Sequence, residues 1–324
     1  MSNDSLRGPV LLTGAAGFIG SHVACALLAR GVEVVGLDNF DPFYPRPLKD
    51  ANLQAVAAAG GRFTFVEGDL CDAPLVSSLM SQRRAAGVIH LAAKAGVRPS
   101  IDDPPGYAKA NVLGTSVVLD AAHRAGCERV VVASSSSVYG NAPVAPFHEE
   151  MDVDAPISPY AATKRACELL CGTHHHLTRQ PVACLRFFTV YGPRQRPDLA
   201  ISAFMRKIAA GEPLQVFGDG STSRDYTFVA DIVAGVLAAM DRIPAHGYRV
   251  WNLGNSSPVT LSTMIESIER VVGRKAVVER RPMQPGDVER TWADLSRSTR
   301  ELGYAPSTPF LEGLEAQWRE MRHA

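Results

Sequence analysis

The sequence has no charge of one sign to spare: 33 Lys and Arg face 33 Asp and Glu over 324 residues. Nucleic-acid binders usually carry a basic excess, so no nucleic-acid partner is expected. Attraction for an anionic ligand has to come from a few placed residues, not from a global field. No apolar run approaches the ~20 residues of a membrane span, so no membrane partner is expected either. Residues 1–9 lack the basic segment and apolar run of a secretion signal. The six cysteines (Cys25, Cys71, Cys127, Cys167, Cys171 and Cys184) form no paired CxxC set. That scatter fits free thiols in a reducing cytoplasm better than a disulfide framework. There is no internal repeat and no low-complexity tail.

What the chain does have is apolar material, 46% against 20% charged, enough for a large core. Short β-branched runs at residues 10–12, 32–37, 63–66, 88–91, 130–133 and 182–187 read as strands. Each is continuously apolar, as in a parallel sheet covered on both faces. Stretches 19–30, 52–59, 107–125 and 160–177 have helical length and composition. Strand–helix alternation of this kind predicts an α/β, doubly wound parallel sheet. After residue 191 Pro and Gly punctuate the pattern, which predicts a smaller C-terminal α/β unit over residues 191–324 that covers and binds the substrate. Residues 228–255, with a helix at 231–240 and a strand at 250–253, are expected to return to the first unit, residues 1–190.

Thr13-Gly14-Ala15-Ala16-Gly17-Phe18-Ile19-Gly20 follows the first strand and opens a helix. Glycines there serve a tight turn, close approach to a pyrophosphate, and close helix–strand packing. The helix start offers unpaired N–H groups to phosphate. Asp38 ends the second strand, 18 residues after Gly20, beside Asn39. A carboxylate there accepts from ribose hydroxyls and repels a 2′-phosphate, so NAD is favoured over NADP.

Tyr160 and Lys164 stand four apart, on one helix face. A free phenol holds its proton too tightly to act as a base at neutral pH. A neighbouring ammonium and a positively charged nicotinamide both favour the phenolate. Ser134-Ser135-Ser136-Ser137 follows the fifth strand, at the carboxyl end where ligands bind in open sheets. A metal is not expected at His174-His175-His176, because consecutive helical residues point about 100° apart and do not converge on one ion.

Taken in this order, the glycine motif, Ser135, Tyr160 and Lys164 resemble the extended short-chain dehydrogenase/reductase family. The resemblance implies a Rossmann fold, NAD, and Ser–Tyr–Lys chemistry. It further implies that Asp69 and Leu70 lie by the adenine, and that Leu91, Ala92, Ala93, Lys94 and Phe187 line the cofactor. The segments Lys94–Ser100, Arg186–Asp198, Val216–Gly220, Arg224–Thr227 and Met283–Val288 resemble the nucleotide-sugar branch, and within it the UDP-glucuronate 4-epimerases. Arg98, Ser136, Thr189, Arg196, Val216, Phe217, Arg224, Gln284 and Asp287 are then the expected substrate contacts. Val216 and Phe217 would border the nucleoside, Arg224 would hold the diphosphate, and Asp287 would contact the ribose. A salt bridge to its neighbour Asp225 is the competing use of Arg224.

Two departures discriminate within the branch. Galactose-type epimerases carry Arg where this chain has Gln284, and the glucuronate group does not. Related 4,6-dehydratases carry Asp-Glu in place of Ser136-Ser137, and related decarboxylases carry Glu in place of Ser137. The expectation is therefore a UDP-glucuronate 4-epimerase, with Ser135 and Ser137 beside Tyr160 and Lys164 in catalysis. Arg196 and Thr189 would hold the substrate carboxylate. The alternatives are a neutral UDP-sugar 4-epimerase and, behind it, a decarboxylase. Helices 107–125 and 160–177 are the ones that form a homodimer bundle in this family.

Overall fold

A computed structural model describes residues 8–282 and 288–322. Strands and helices alternate through the first half: β1 (Val10–Thr13), α1 (Phe18–Ala29), β2 (Val34–Asp38), α2 (Arg46–Ala58), β3 (Phe63–Glu67), α3 (Ala73–Arg83) and β4 (Gly87–His90). Short helices α4 (Val97–Asp102) and α5 (Pro104–Tyr107) follow, and a π-helical turn, Ala108–Leu113, runs into α6 (Gly114–Arg124). Then come β5 (Arg129–Ser135), α7 (Pro159–Thr178), β6 (Val182–Phe187), β7 (Thr189–Tyr191), α8 (Ala200–Ala210), β8 (Pro213–Phe217), β9 (Ser223–Phe228), α9 (Val229–Arg242) and β10 (Tyr248–Leu253). The chain finishes with β11 (Pro258–Thr260), α10 (Leu261–Val272), β12 (Val277–Arg281), α11 (Ser296–Leu302) and α12 (Phe310–Met321).

Seven parallel strands form the central sheet, in the order β10-β6-β5-β4-β1-β2-β3. The order reverses between β1 and β4, so a crevice opens there beyond the strand carboxyl ends. This is the doubly wound Rossmann arrangement. Alternate residues of each strand feed two different cores. Leu12, Ile89, Val131 and Leu185 pack with Val23 and Leu27 of α1 and Ile232 and Val236 of α9. Leu11, Val88, Val130 and Val182 pack on the other face with Met80 of α3, Val118 and Leu119 of α6, and Cys171 of α7. β10 arrives from the far end of the chain and pairs with β6, from Tyr248 opposite Val182 to Leu253 opposite Phe187.

The remaining strands form a three-stranded sheet, β11-β9-β7, and a pair, β12-β8. These pack with α8, α10 and α12 around Met205, Ile208, Leu214, Met264, Ile268 and Leu314. The helix read as one piece over residues 107–125 is in fact divided at the π-helical turn. That turn inserts one residue into the helical ladder and rotates Asn111 inward, where it is 1% exposed.

Candidate active site

A cavity of about 640 Å³ lies over the carboxyl ends of the strands. Gly14, Gly17, Phe18, Ile19, Gly20, Asp38 and Asn39 form one wall, and Leu70, Leu91, Ala92, Ala93, Lys94 and Phe187 continue it. Ser135, Ser136, Ser137, Tyr160 and Lys164 also line it. Arg98, Thr189, Arg196, Val216, Phe217 and Arg224 line the remainder. Asp69 is not among the lining residues. Its carboxylate accepts from the Cys71 N–H (2.7 Å) and the Asn39 amide (3.4 Å), so it braces Asn39 from behind. Gln284 and Asp287 lie outside the described residues.

The glycine turn fits a dinucleotide on steric grounds. Gly14 sits at φ +74°, and a Cβ there would come within 2.8 Å of the Ala92 N–H nitrogen. A Cβ on Gly20 would collide with the Gly14 carbonyl oxygen. Together the glycines bring α1 close against the turn and leave its start open to a phosphate. Asn52 of α2 holds the turn from outside through the Ala16 carbonyl (2.9 Å).

Asp38 accepts from the Phe40 N–H (2.9 Å) and the Ala16 N–H (3.2 Å), so its carboxylate is fixed at the cavity edge. Burial pushes its carboxyl above the usual carboxylate range; those two N–H groups and Lys49 oppose the rise. A ribose donating to this carboxylate favours its charged form, so cofactor binding should release a proton. NAD affinity is therefore expected to be constant above the raised Asp38 value and to weaken as pH falls through it. The slope should approach tenfold per pH unit. Fluorescence titration of NAD across the acidic range checks this: Asp38→Asn should bind more weakly and lose the slope, and a slope kept in that variant refutes the assignment.

Ser158 caps α7, accepting from the Ala161 N–H (3.1 Å), and Pro159 opens its first turn. Tyr160 is thereby placed in the first turn, with its N–H on Ser100 Oγ (3.1 Å) and its ring edge-on to Tyr107 at 6.2 Å. Lys164, one turn on, is 5% exposed and donates to the Ala133 carbonyl (2.8 Å) at the end of β5. Ser135 closes β5; its hydroxyl donates to Ser137 Oγ and accepts from the Ser137 N–H, both at 3.1 Å. Ser134 turns the other way, onto Glu168 of α7 (2.7 Å).

Behind this group runs a buried polar chain. Burial, with the Lys164 charge nearby, lowers His90 to about 3, so its ring is neutral. Thr115 donates to Cys167 Sγ (3.3 Å), which leaves its oxygen to accept from His90 Nε2 (3.2 Å). The other ring nitrogen, Nδ1, then accepts from Thr13 (2.7 Å), whose oxygen in turn accepts from the Ala92 N–H (3.1 Å). Asn111 exchanges two hydrogen bonds with the Lys94 backbone (2.8 and 3.0 Å) and donates to Thr163 Oγ1 (3.0 Å). Thr163 donates to the Tyr160 carbonyl (2.8 Å). The chain ties the glycine turn, β4 and α7 into one frame.

Arg224 and Asp225 diverge because they alternate along β9. Asp225 is fully buried and accepts from the N–H groups of Asn255, Ser256 and Ala293. Arg224 lines the cavity and bonds the Ser223 carbonyl (2.9 Å). Arg98 lies over the Phe217 ring at 5.3 Å. Lys94 pairs with Asp103 (2.8 Å). His174 and His175 are taken up by Gln180. Sequence reasoning did not identify Phe43 and Tyr44 of the β2–α2 loop or Lys49 of α2, which join the cavity wall. They carry no spacing signal of their own.

Residues 10–254 match the NAD dependent epimerase/dehydratase family. The chain is 39% identical over 310 residues to a UDP-glucuronate 4-epimerase of Thermodesulfobacterium geofontis, covering 95% of this chain and 94% of that one. It is 42% identical over 328 residues to UDP-glucuronate 4-epimerase 3 of Arabidopsis thaliana, covering 95% and 76%. Its fold superimposes with a TM-score of 0.91 on the UDP-glucuronic acid 4-epimerase of Bacillus cereus in complex with UDP-glucuronic acid and NAD, at 35% identity, covering 97% and 99%. With the family matched across the whole central sheet, this chain belongs to the NAD-dependent epimerase/dehydratase family.

Proposed function

We propose that the protein is a 4-epimerase of UDP-glucuronate, forming UDP-galacturonate through a 4-keto sugar. One observation carries the reading: Tyr160, Lys164, Ser135 and Ser137 share their cavity with Arg196 and Thr189. A general base and a carboxylate-binding cation thus face one small volume. The Ser136 and Ser137 positions offer hydroxyls and no acid, which disfavours dehydration and decarboxylation.

Tyr160 takes the proton of the sugar 4-hydroxyl and later returns one. Lys164 lies one helical turn from Tyr160 and would hold the nicotinamide ribose. Ser135, steadied by Ser137, donates to the keto oxygen. NAD, when bound, supplies a reversible hydride acceptor for carbon 4. The glycine turn and Asp38 would hold its pyrophosphate and adenosine ribose. Arg224 and Arg98 answer the substrate diphosphate.

A neutral UDP-sugar is the second reading, because Asp198 already takes two of the Arg196 donors and leaves only the end edge of the guanidinium to a carboxylate. Proton NMR of purified protein with UDP-glucuronate decides. UDP-galacturonate without carbon dioxide is the expected product. Unchanged UDP-glucuronate with conversion of UDP-glucose would refute the carboxylate assignment.

We also propose a homodimer that works in the cytoplasm. The exposed apolar side chains of Leu113, Leu169 and Leu177, next to or on helices α6 and α7, support a second copy there. No described helix is long and apolar enough to cross a membrane.

A further inference from the structure

Arg196 is held on two sides. Its Nε and Nη2 form a fork on the two Asp198 carboxylate oxygens, at 3.1 and 2.8 Å. Its guanidinium lies over the Phe43 ring, 4.6 Å from the centroid. Asp198 is two residues on in the same loop; Phe43 comes from the β2–α2 loop, five residues after Asp38. The side chain is only 15% exposed although the loop is at the surface. A guanidinium offers a side edge, an end edge and two faces. Here the side edge and one face are taken. The end edge, at Nη1, has no hydrogen bond to a described residue and is the edge left for a ligand in the cavity that Arg196 lines.

We propose that Asp198 is a positioning residue that sets the plane of Arg196, and thereby makes the enzyme keep the carboxylate of its own intermediate. The inference rests on the UDP-glucuronate reading given above. A 4-keto uronate is a β-keto acid. In its loss of carbon dioxide the C5–C6 bond breaks and its electron pair passes into the C4 carbonyl as an enolate. C6 departs as carbon dioxide, and C5 takes a proton from water. The pair can flow only when the C5–C6 bond stands across the carbonyl plane, so the orientation of the carboxylate controls the rate. Carbon dioxide is also uncharged, so charge-assisted bonds to the carboxylate are lost on the way out and oppose the loss. A guanidinium fixed in plane by Asp198 and Phe43 serves both ends: it holds the charge and it holds the angle. A guanidinium free to swing would serve only the first.

The test compares wild type with Asp198→Asn, which keeps the side-chain size and one acceptor but loses the charge and the fork. Each is incubated with UDP-glucuronate carbon-13-labelled at C6. Trapped labelled carbon dioxide is then measured against UDP-galacturonate by NMR. The ratio of the two products does not depend on how much enzyme is folded, so a merely structural defect leaves it unmoved. The ratio is expected to rise about tenfold in Asp198→Asn. Asp198→Glu, which restores the carboxylate one methylene further out, should bring it part of the way back. An Asp198→Asn ratio equal to wild type, with wild type making UDP-galacturonate, overturns the inference alone. Wild-type protein that leaves UDP-glucuronate unchanged overturns the inference together with the reading beneath it.

Discussion

Replacing Tyr160 by Phe is expected to cut turnover of UDP-glucuronate about a thousandfold, or ~4 kcal/mol of barrier. The change removes one oxygen and little else. Tyr160 is placed by its N–H on Ser100, by the Thr163 bond to its carbonyl, and by its ring against Tyr107. None of these needs the phenolic hydroxyl, so the ring should stay where it is. Substrate binding should change little, because Arg196, Arg224 and the serines are untouched. Steady-state kinetics should thus show a fall in kcat with KM nearly constant and with bound NAD unchanged. A variant that keeps more than about a tenth of wild-type kcat would mean that another group moves the proton.

Glu168→Gln is expected to destabilise the fold by about 3–5 kcal/mol. Glu168 is fully buried, and Arg186 of β6 is 2% exposed. Arg186 forks onto both carboxylate oxygens, at 2.8 and 2.9 Å, and Ser134 adds a third bond at 2.7 Å. The neutral amide satisfies part of this geometry but leaves a guanidinium buried without its countercharge. Arg165, 3.4 Å from the same carboxylate, loses a partner too. Urea unfolding measures the loss. Pairing Glu168→Gln with Arg186→Met should recover much of it, since the stranded charge is then gone. A loss below ~1 kcal/mol would show that the site admits water. The pair also locks α7 against β5 and β6, so activity should fall more than the folded fraction does.

Much of the site was legible in the sequence because its chemistry is local. The glycine turn needs its residues within eight positions, Tyr160 and Lys164 need one helical turn, and the serines need one strand end. In such segments spacing fixes geometry. Asp38 was legible for a related reason: a strand of known length puts its last residue at the sheet's carboxyl edge. Arg224 was ambiguous beside Asp225 until strand alternation sent the two apart. Asp198 gave no signal as a partner of Arg196, because an acid and a base two residues apart in a loop pair or not according to backbone path.

The sequence by itself determined the fold class, the glycine turn at the head of α1 and the shared helix face of Tyr160 and Lys164, since these follow from apolar period and short-range spacing. Only the tertiary structure decided what meets across long separations. It chose β6 as the partner of the returning strand β10, turned Asn111 inward at a π-helical step, and laid Phe43 of the β2–α2 loop against Arg196. Each of these depends on how the chain crosses itself. That is settled by packing of whole elements, which no local pattern of residues encodes.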